Sequence, residues 1–590
     1  MEWQGWFSLG LTAITLALLV WGRLATEIVL CGAMAILSLS GVLATEQALA
    51  GFANPGLVTV ALMFVVASGI QSTGGVDLLV SRVLGLPRSL AGARLRLVLP
   101  VIACSGFLNN TPIVAALIPA VHSWARRIGH SPSALLLPLS YAAILGGTLT
   151  MIGTSTNLVI NGLYSQMTGD SFSLFAITPL GLAVALAGTC FMLLAFPSLL
   201  PPRRSAEEAF ADPREYTVEV AVASDGPLVG RSIAAAGLRH LGSIYLVEIE
   251  RDGQVLGAVA PQEQLRGGDR LVFAGDTDAI VNLQRINGLV PSTGEAPALG
   301  RANPERCLVE VVVSPHCECI GQTIRNSRFR ERYEAVVLAV ARGGERIPGN
   351  LGSIELHAAD TLLLEARPNF VRRQAQARDF LLVSGIAAER PRHDRALLAW
   401  LILLAVVTSA ALGLLSMLNA AFLGAGLMLL SRSCTPTQAL RSLDLPVLLS
   451  IGASFALGAA LEQTGAATLL AGQVLQATAN PLAMLALTYL TTSILTEIIT
   501  NNAAAVIMLP IVLAGCHSAG FNPEPFVVAL MFGASASFAT PIGYQTNLMV
   551  AGPGGYRFGD FLRAGIPLNL VCGAVTVAVI PYIWPLRAAL

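Results

Sequence analysis

The 590-residue chain contains no lysine. All 36 of its basic residues are arginine, and 36 acidic residues balance them to a formal net charge of zero. The arginine-only usage reads as codon bias. Zero net charge excludes a global basic field and, with it, nucleic acid as a partner. Charge is scarce altogether: 12% of residues are charged, 54% are hydrophobic, and the mean hydropathy is +0.67. A soluble domain carries about 25% charged residues, so the composition is that of a polytopic membrane protein. The first 22 residues lack a basic segment and a small-residue cleavage site, and read as a membrane helix instead of a signal peptide. No T-V-G-Y-G filter occurs, and no G-x-G-x-x-G follows a strand. The membrane halves hold no nucleophile–base pair or metal cluster, so an enzyme is not expected. Nine cysteines are scattered, and Cys31, Cys104, Cys190, Cys434, Cys516 and Cys572 read as packing residues in apolar segments. Only His316-Cys317-Glu318-Cys319 is clustered, short of the four ligands of a structural zinc site.

Long apolar runs dominate what is present. In the first 202 residues they lie at about 7–21, 26–43, 54–71, 97–122, 133–164 and 174–198, with an amphipathic connector at 76–96 that reads as surface. Residues 203–395 are rich in charge and short alternating strands, with no membrane-length run. The apolar pattern then returns in the same order at about 397–414, 417–431, 446–462, 482–514, 525–550 and 562–586, with an amphipathic piece at 464–478. The expected domains are a membrane repeat at 1–202, soluble modules at 203–295 and 296–395, and a second membrane repeat at 396–590.

In each half one apolar run is interrupted by amides. Residues 105–119 read S-G-F-L-N-N-T-P-I-V-A-A-L-I-P and residues 496–510 read T-E-I-I-T-N-N-A-A-A-V-I-M-L-P. Aligned without gaps, Ser105 falls on Thr496, Asn109 on Thr500, Asn110 on Asn501 and Thr111 on Asn502. Buried amides are costly in a bilayer, so each run reads as a re-entrant helical hairpin with its tip at the asparagines. Each is followed by a helix broken at glycine: the first is interrupted at Gly146-Gly147 and again at Gly153-Thr154-Ser155-Thr156-Asn157, the second at Gly543-Tyr544-Gln545-Thr546-Asn547. A single asparagine would read as an interhelical hydrogen bond, whereas duplicated clusters beside duplicated breaks read as a transport site.

The fold class expected is thus a polytopic α-helical membrane protein with five spans and one re-entrant hairpin per half. Five is odd, so the halves have opposite orientations, an inverted repeat. Arginines at 23, 82, 88, 94, 96, 126, 127, 203, 204, 432, 441, 557 and 563 fall on one side if the insert is cytoplasmic. Arg587 is the exception.

The insert repeats as well. L-V-G-R-S-I at 228–233 and G-G-D-R-L-V-F at 267–273 are matched by C-I-G-Q-T-I at 319–324 and A-D-T-L-L-L-E at 359–365, between alternating apolar strands and a short helix in each unit. Asp360 is kept, with Ala359 where the first unit has glycine. This layout resembles the TrkA-C (RCK carboxy-terminal) domain, which implies an α+β module that pairs and binds a small anionic regulator. The alternative is a dimerisation or stability module without a ligand.

The membrane halves supply hydroxyls, amides and free backbone groups without a basic side chain. Oxygen ligands suit a hard monovalent cation, and helix N-termini with amide donors suit an anion. On these motifs the chain resembles the divalent anion–sodium symporter family of the ion-transporter superfamily over 7–200 and 397–586. The central asparagines and the glycines of the breaks match, while the leading serines and the prolines do not. The resemblance implies sodium sites formed by Ser105, Asn109, Asn110 and Gly153 and by Thr496, Thr500, Asn501 and Gly543. It implies substrate contacts from Asn110, Thr111, Thr154, Asn501, Asn502 and Tyr544. Sodium serves as coupling ion, and no cofactor is implied. It further implies a homodimer in the cell (inner) membrane that moves its hairpin-bearing part like an elevator. N-N-T-P with T-N-N-A resembles the sulfate-type branch. Dicarboxylate symport and cation–proton antiport are the alternatives.

Overall fold

The computed structural model describes residues 3–21, 24–75, 84–87, 89–200, 217–238, 244–251, 254–257, 259, 262–275, 286–291, 307–314, 317–347, 351–366, 370–374, 379–384, 395–469, 480–541 and 543–587. His316, most of the expected piece at 464–478, and part of the connector at 76–96 lie outside them.

The first half begins with α1 (Trp3–Trp21), α2 (Thr26–Leu39), the short α3 (Thr45–Leu49) and α4 (Pro55–Ser72). Asn54 caps α4 by accepting from the Gly56 amide, and Pro55 occupies the first turn, where a missing N–H costs nothing. The helical hairpin follows as α5 (Leu90–Ser105) and α6 (Asn110–Arg127). Next come α7 (Ser133–Gly147), a break over 148–154, α8 (Ser155–Thr168) and α9 (Thr178–Leu199). The two interruptions expected near 146–147 and 153–157 are therefore one break, with Asn157 inside the helix that follows it.

The hairpin starts earlier than its apolar run suggests. Arg94, expected on a surface connector, lies inside α5 and is 2% exposed, because its Nε donates to Ala134 O at the start of α7 (3.2 Å). Burial of a guanidinium needs such a partner.

Two antiparallel sheets form the insert. In the first, β1 (Thr217–Val222), β2 (Ile244–Arg251), β3 (Gln254–Gly257), β4 (Arg270–Gly275) and β5 (Leu289–Pro291) run in the order β3-β2-β4-β1-β5. In the second, β6 (Cys307–Val313), β7 (Ala335–Arg342), β8 (Glu345–Arg346), β9 (Thr361–Ala366) and β10 (Phe380–Ser384) run in the order β10-β6-β9-β7-β8. Read from the other edge, the second order is the first. The same ion pair closes both units. Arg251 holds Asp269 through Nε and Nη2 at 2.8 Å each, and Arg342 holds Asp360 at 2.7 and 2.8 Å. Asp269 and Asp360 also accept backbone amides, from Arg266 and His357.

Gly268 stands at φ +86° and its counterpart Ala359 at φ +68°, so the second unit holds an alanine where the turn favours glycine. Val247, Val272, Val336, Leu338, Ala341 and Leu363 form one cluster joining the two sheets. The short helix expected after Gly230 is turn over its described residues, 234–238. In the second unit a short helix, α10 (Phe329–Tyr333), forms, and α11 (Phe370–Gln374) lies between β9 and β10.

The second half comprises α12 (Ala396–Ala411), α13 (Met417–Leu430), α14 (Pro436–Ser442) and α15 (Leu445–Gln463). A hairpin of α16 (Pro481–Ile498) and α17 (Asn501–Ala519) follows. Then come α18 (Pro523–Ser535), a break over 536–544, α19 (Gln545–Ala551) and α20 (Phe558–Ile583). Packing respects the duplication: α5 lies on α7 as α16 lies on α18, and α4 lies on α13 as α15 lies on α2.

Among the described residues, six segments are long and apolar enough to cross a membrane: Thr45–Ser72, Thr178–Leu199, Leu445–Gln463, Pro481–Ile498, Asn501–Ala519 and Phe558–Ile583. The last three include both arms of the second hairpin. The outer faces are apolar: Leu39, Leu194, Leu397, Leu430 and Leu490 are all exposed, which suits lipid and not water. Of the cysteines read as packing residues, Cys104, Cys434, Cys516 and Cys572 are buried, Cys31 is half-buried and Cys190 is exposed.

Candidate functional site

Each hairpin turns where the sequence places its amides. Asn110 and Asn501 are the first residues of α6 and α17, preceded by Asn109 and Thr500 in extended conformation. The first turn of a helix leaves backbone N–H groups without intrahelical partners, so each tip presents free donors beside its side chains.

The same hydrogen bonds recur in both halves. Ser105 Oγ lies 2.5 Å from Asn110 Oδ1 and 2.7 Å from Ala143 O. Thr496 Oγ1 lies 2.8 Å from Asn501 Oδ1 and 3.0 Å from Ala534 O. At the breaks, Asn157 Nδ2 donates to Gly147 O and Thr150 O (3.3 and 3.2 Å). Asn547 Nδ2 donates to Ser537 O and Thr540 O (3.0 and 3.1 Å). Thr150 Oγ1 donates to Gly106 O, and Thr540 Oγ1 lies 3.3 Å from Glu497 O. A broken helix exposes carbonyls that must be satisfied inside the protein; here one asparagine per half satisfies two of them, and one threonine per half sets the break against a hairpin carbonyl.

These bonds bring most of the sequence-derived residues together. A Cβ on Gly153 would stand 2.6 Å from Gly147 O and 2.9 Å from Ser105 O, so the break packs directly against the hairpin. Ser105, Asn110, Thr154 and Thr496 are each 2% exposed or less. Asn109 instead lines a small cavity with Val60, Phe64, Ile152 and Ser155. Its counterpart Thr500 is exposed.

The two halves then join. Asn110 Nδ2 donates to Tyr544 OH (2.5 Å), which is also 3.4 Å from Thr154 Oγ1. Thr111 Oγ1 donates to Gln545 Oε1 (3.1 Å), and Thr156 Oγ1 to Asn502 Oδ1 (3.1 Å). The N-terminus of α8 is thereby tied to that of α17, and the N-terminus of α6 lies against the second break. Three helices of 18, 14 and 19 residues point their positive ends into one region. No arginine takes part in these bonds.

Several contributors went unread in the sequence. Ser140, in the middle of α7, lies 2.8 Å from Thr546 Oγ1 and 2.7 Å from Asn547 Oδ1. Tyr141 OH donates to Phe538 O (2.6 Å). Asn569 donates to Glu497 (3.0 Å). Their signal was a lone polar residue inside an apolar run, which duplication did not flag because neither Ser140 nor Asn569 has a polar counterpart. Glu497 accepts the Ala539 and Thr540 amides (2.8 and 3.0 Å), inside the second break.

Among the described residues no group of three His, Cys, Asp or Glu could hold a metal. Cys317 and Cys319 both lie 3.7 Å from Tyr333 OH, and Arg332 Nη1 is 3.9 Å from Cys319 Sγ. The hydrogen bond from Cys317, then those from Tyr333, Arg332 and Ser327, pull the Cys319 thiol down to about 6 against the cost of burial.

A helical body with an apolar exterior around a duplicated polar centre is the build of a membrane transporter, and the chain is one, not an enzyme. It belongs to the CitMHS citrate transporter family, whose sequence pattern matches residues 16–514 and 420–589. It is 38% identical to a Chlamydomonas reinhardtii protein described as a proposed sulfur deprivation response regulator, over 95% of this chain and 98% of that one. It is 27% identical to sodium/sulfate cotransporter 1 of the same organism, over 98% of this chain and 90% of that one. Among solved structures, the Alcanivorax borkumensis YdaH transporter matches 97% of this chain and 100% of its own, with a TM-score of 0.46 and 12% identity. The family is thus the citrate one of the ion-transporter superfamily, with sodium/sulfate cotransporters among the relatives.

Proposed function

We propose that the protein imports a small divalent anion, sulfate or a related oxyanion, together with sodium. The observation that carries this reading is the meeting of the α6, α8 and α17 N-termini with amides and hydroxyls, and without a basic side chain, between the two hairpin tips. Helix N-termini bind an anion by free N–H groups and dipole, and sodium bound alongside offsets the anion's charge in a region of low dielectric. Sodium sites would form from Ser105, Asn109, Asn110 and Gly153 and from Thr496, Thr500, Asn501 and Gly543. Substrate would meet Asn110, Thr111, Thr154, Asn501, Asn502 and Tyr544. The relatives described as sodium/sulfate cotransporters and as a sulfur deprivation regulator support sulfate.

In this reading the halves are an inverted repeat, the hairpins are re-entrant, and the protein is an inner-membrane homodimer working as an elevator. The two sheets of the insert are cytoplasmic TrkA-C modules that sense a small anion. Their identical strand order and shared arginine–aspartate pairs support a duplicated module. The family description favours one second reading, symport of citrate or a related carboxylate.

One experiment separates them. Purified protein in liposomes is loaded with an inward sodium gradient and offered labelled sulfate, succinate or citrate. Sulfate uptake that requires sodium and falls at least tenfold in Asn110→Ala and Asn501→Ala is expected. Uptake of citrate but not sulfate selects the second reading. Uptake indifferent to sodium and to both substitutions overturns the symport reading.

A further inference from the structure

The two halves match at the tips but differ beside them. Gly106 is replaced by Glu497, and Gly147 by Ser537. Glu497 Oε1 accepts from Ala539 N (2.8 Å) and Asn569 Nδ2 (3.0 Å), and Oε2 from Thr540 N (3.0 Å) and Thr540 Oγ1 (2.9 Å). Four donors fix both oxygens, but all four belong to neutral groups. Among the described residues no cationic side chain pairs with this carboxylate. A buried charge of this kind needs a counter-charge.

Oxygen ligands for one lie beside it. A Cβ on Gly543 would stand 2.9 Å from Glu497 Oε2, 2.9 Å from Thr540 Oγ1 and in hard contact with Ser537 Oγ. Three side-chain oxygens therefore converge over the Gly543 backbone. Ser537 is fully buried and its Oγ has no hydrogen-bond partner, as is true of Ser535 Oγ nearby in sequence. Thr496 and Asn501 bond each other on the same hairpin, next to Glu497. At the equivalent point of the first half, the oxygens nearest to a Cβ on Gly153 are the backbone carbonyls of Gly147 and Ser105. These carbonyls carry no fixed charge, and Gly106 offers no carboxylate where the second half has Glu497.

We propose that Glu497 and Ser537 belong to the second-half cation site and make the two cation sites unequal. This rests on the sodium-coupled reading above and deepens it. Sodium enters the second-half site without help from the anion, because the Glu497 carboxylate supplies the charge and Ser537 Oγ an otherwise unused oxygen. The first-half site, which is neutral, holds its sodium only when the anion brings negative charge. Hard, oxygen-only coordination with one carboxylate suits a small alkali cation and leaves a softer metal without a preferred ligand.

The test needs no substrate. Purified full-length protein in detergent is melted across a sodium chloride series, with choline chloride holding ionic strength constant. The wild type is expected to gain stability along a saturable sodium curve that choline does not reproduce. Glu497→Gln is expected to raise the sodium midpoint at least tenfold. Ser537→Gly, which installs the residue found in the first half, is expected to raise it at least threefold. If Glu497→Gln does not fold, Ser537→Gly decides. Unchanged midpoints in the folded variants overturn this inference and leave sodium coupling standing. A wild type blind to sodium overturns both.

Discussion

Tyr544 places one hydroxyl between two helix ends that come from different parts of the chain. It receives Asn110 Nδ2 at 2.5 Å and lies 3.4 Å from Thr154 Oγ1, so it closes the proposed anion site from the second half. Tyr544→Phe keeps the ring and removes only the bridge. An unmade hydrogen bond at a buried polar group costs about 1–3 kcal/mol. In liposome uptake the variant should keep its sodium dependence and show a KM for the anion raised roughly tenfold, since 1.4 kcal/mol is about one factor of ten. A KM within about twofold of wild type would remove the hydroxyl from substrate contact. Cys319 offers a second residue-scale prediction, in the insert. Its thiol is held at about 6, mainly by the hydrogen bond from Cys317, against an ordinary value of about 8.5. A depressed thiol pKa contributes stability that is complete above the unfolded value and is lost as pH falls through the folded one. The stability difference between wild type and Cys319→Ser should therefore rise from pH ~6 to pH ~8.5 and be flat below pH ~6. Denaturant melts across that range measure it.

Much at the level of elements could be read before any coordinates. The hairpins, the broken helices and the strand repeat all announced themselves, because a bilayer makes every polar residue in an apolar run conspicuous. Asn110 and Asn501 start their helices as their spacing implies. Three kinds of feature were hidden. Helix ends were missed where an apolar count cannot see them, as with Arg94 inside α5, whose burial depends on Ala134 O across the fold. Partners without a duplicated counterpart, such as Ser140 and Asn569, carried no pattern. The merged break at 148–154 was hidden because Asn157 acts backward onto carbonyls of the preceding helix. That last feature yields a prediction with an order. Asn157 makes two such bonds, and its Oδ1 is buried without a partner. Asn547 makes the same two and also accepts from Ser140. Each lost bond is worth about 0.5–1.5 kcal/mol, with more for the carbonyls left unsatisfied. Both Asn→Ala variants should melt earlier than wild type, and Asn547→Ala should lose more than Asn157→Ala by about 1 kcal/mol. Equal losses, measured by thermal unfolding in detergent, would mean that Ser140 contributes nothing to the break.

On the scale of the whole molecule, the question is which part of the helical body the insert touches. The second unit reaches the loop at 552–557, between α19 and α20 and directly after the second break. A Cβ on Gly552 would fall 2.6 Å from Thr361 Oγ1 and 3.0 Å from Ala359 O, so strand β9 and its turn sit on the bare backbone of that glycine. Arg557 pairs with Glu345 of β8, and Ala359 and Leu381 pack on the core of the helical body. From the same loop, Tyr556 OH accepts from Leu137 N (2.8 Å) and donates to Ser133 O, which anchors the loop to α7. The insert is therefore seated on the elements that carry the polar centre, so a change in its position bears on the break before it bears on the outer spans. The two contacts differ in weight. Arg557 and Glu345 are 50% and 75% exposed, and such surface pairs contribute about 0–1 kcal/mol. Gly552 is buried, and any side chain there must push β9 away. Gly552→Ala should raise amide hydrogen exchange over 356–362 at least tenfold and alter the uptake rate, while Arg557→Ala should change neither by more than about twofold, because the exposed pair adds so little. Faster exchange in Arg557→Ala with none in Gly552→Ala would move the seat from the glycine to the ion pair, and with it the point at which the insert can act on transport.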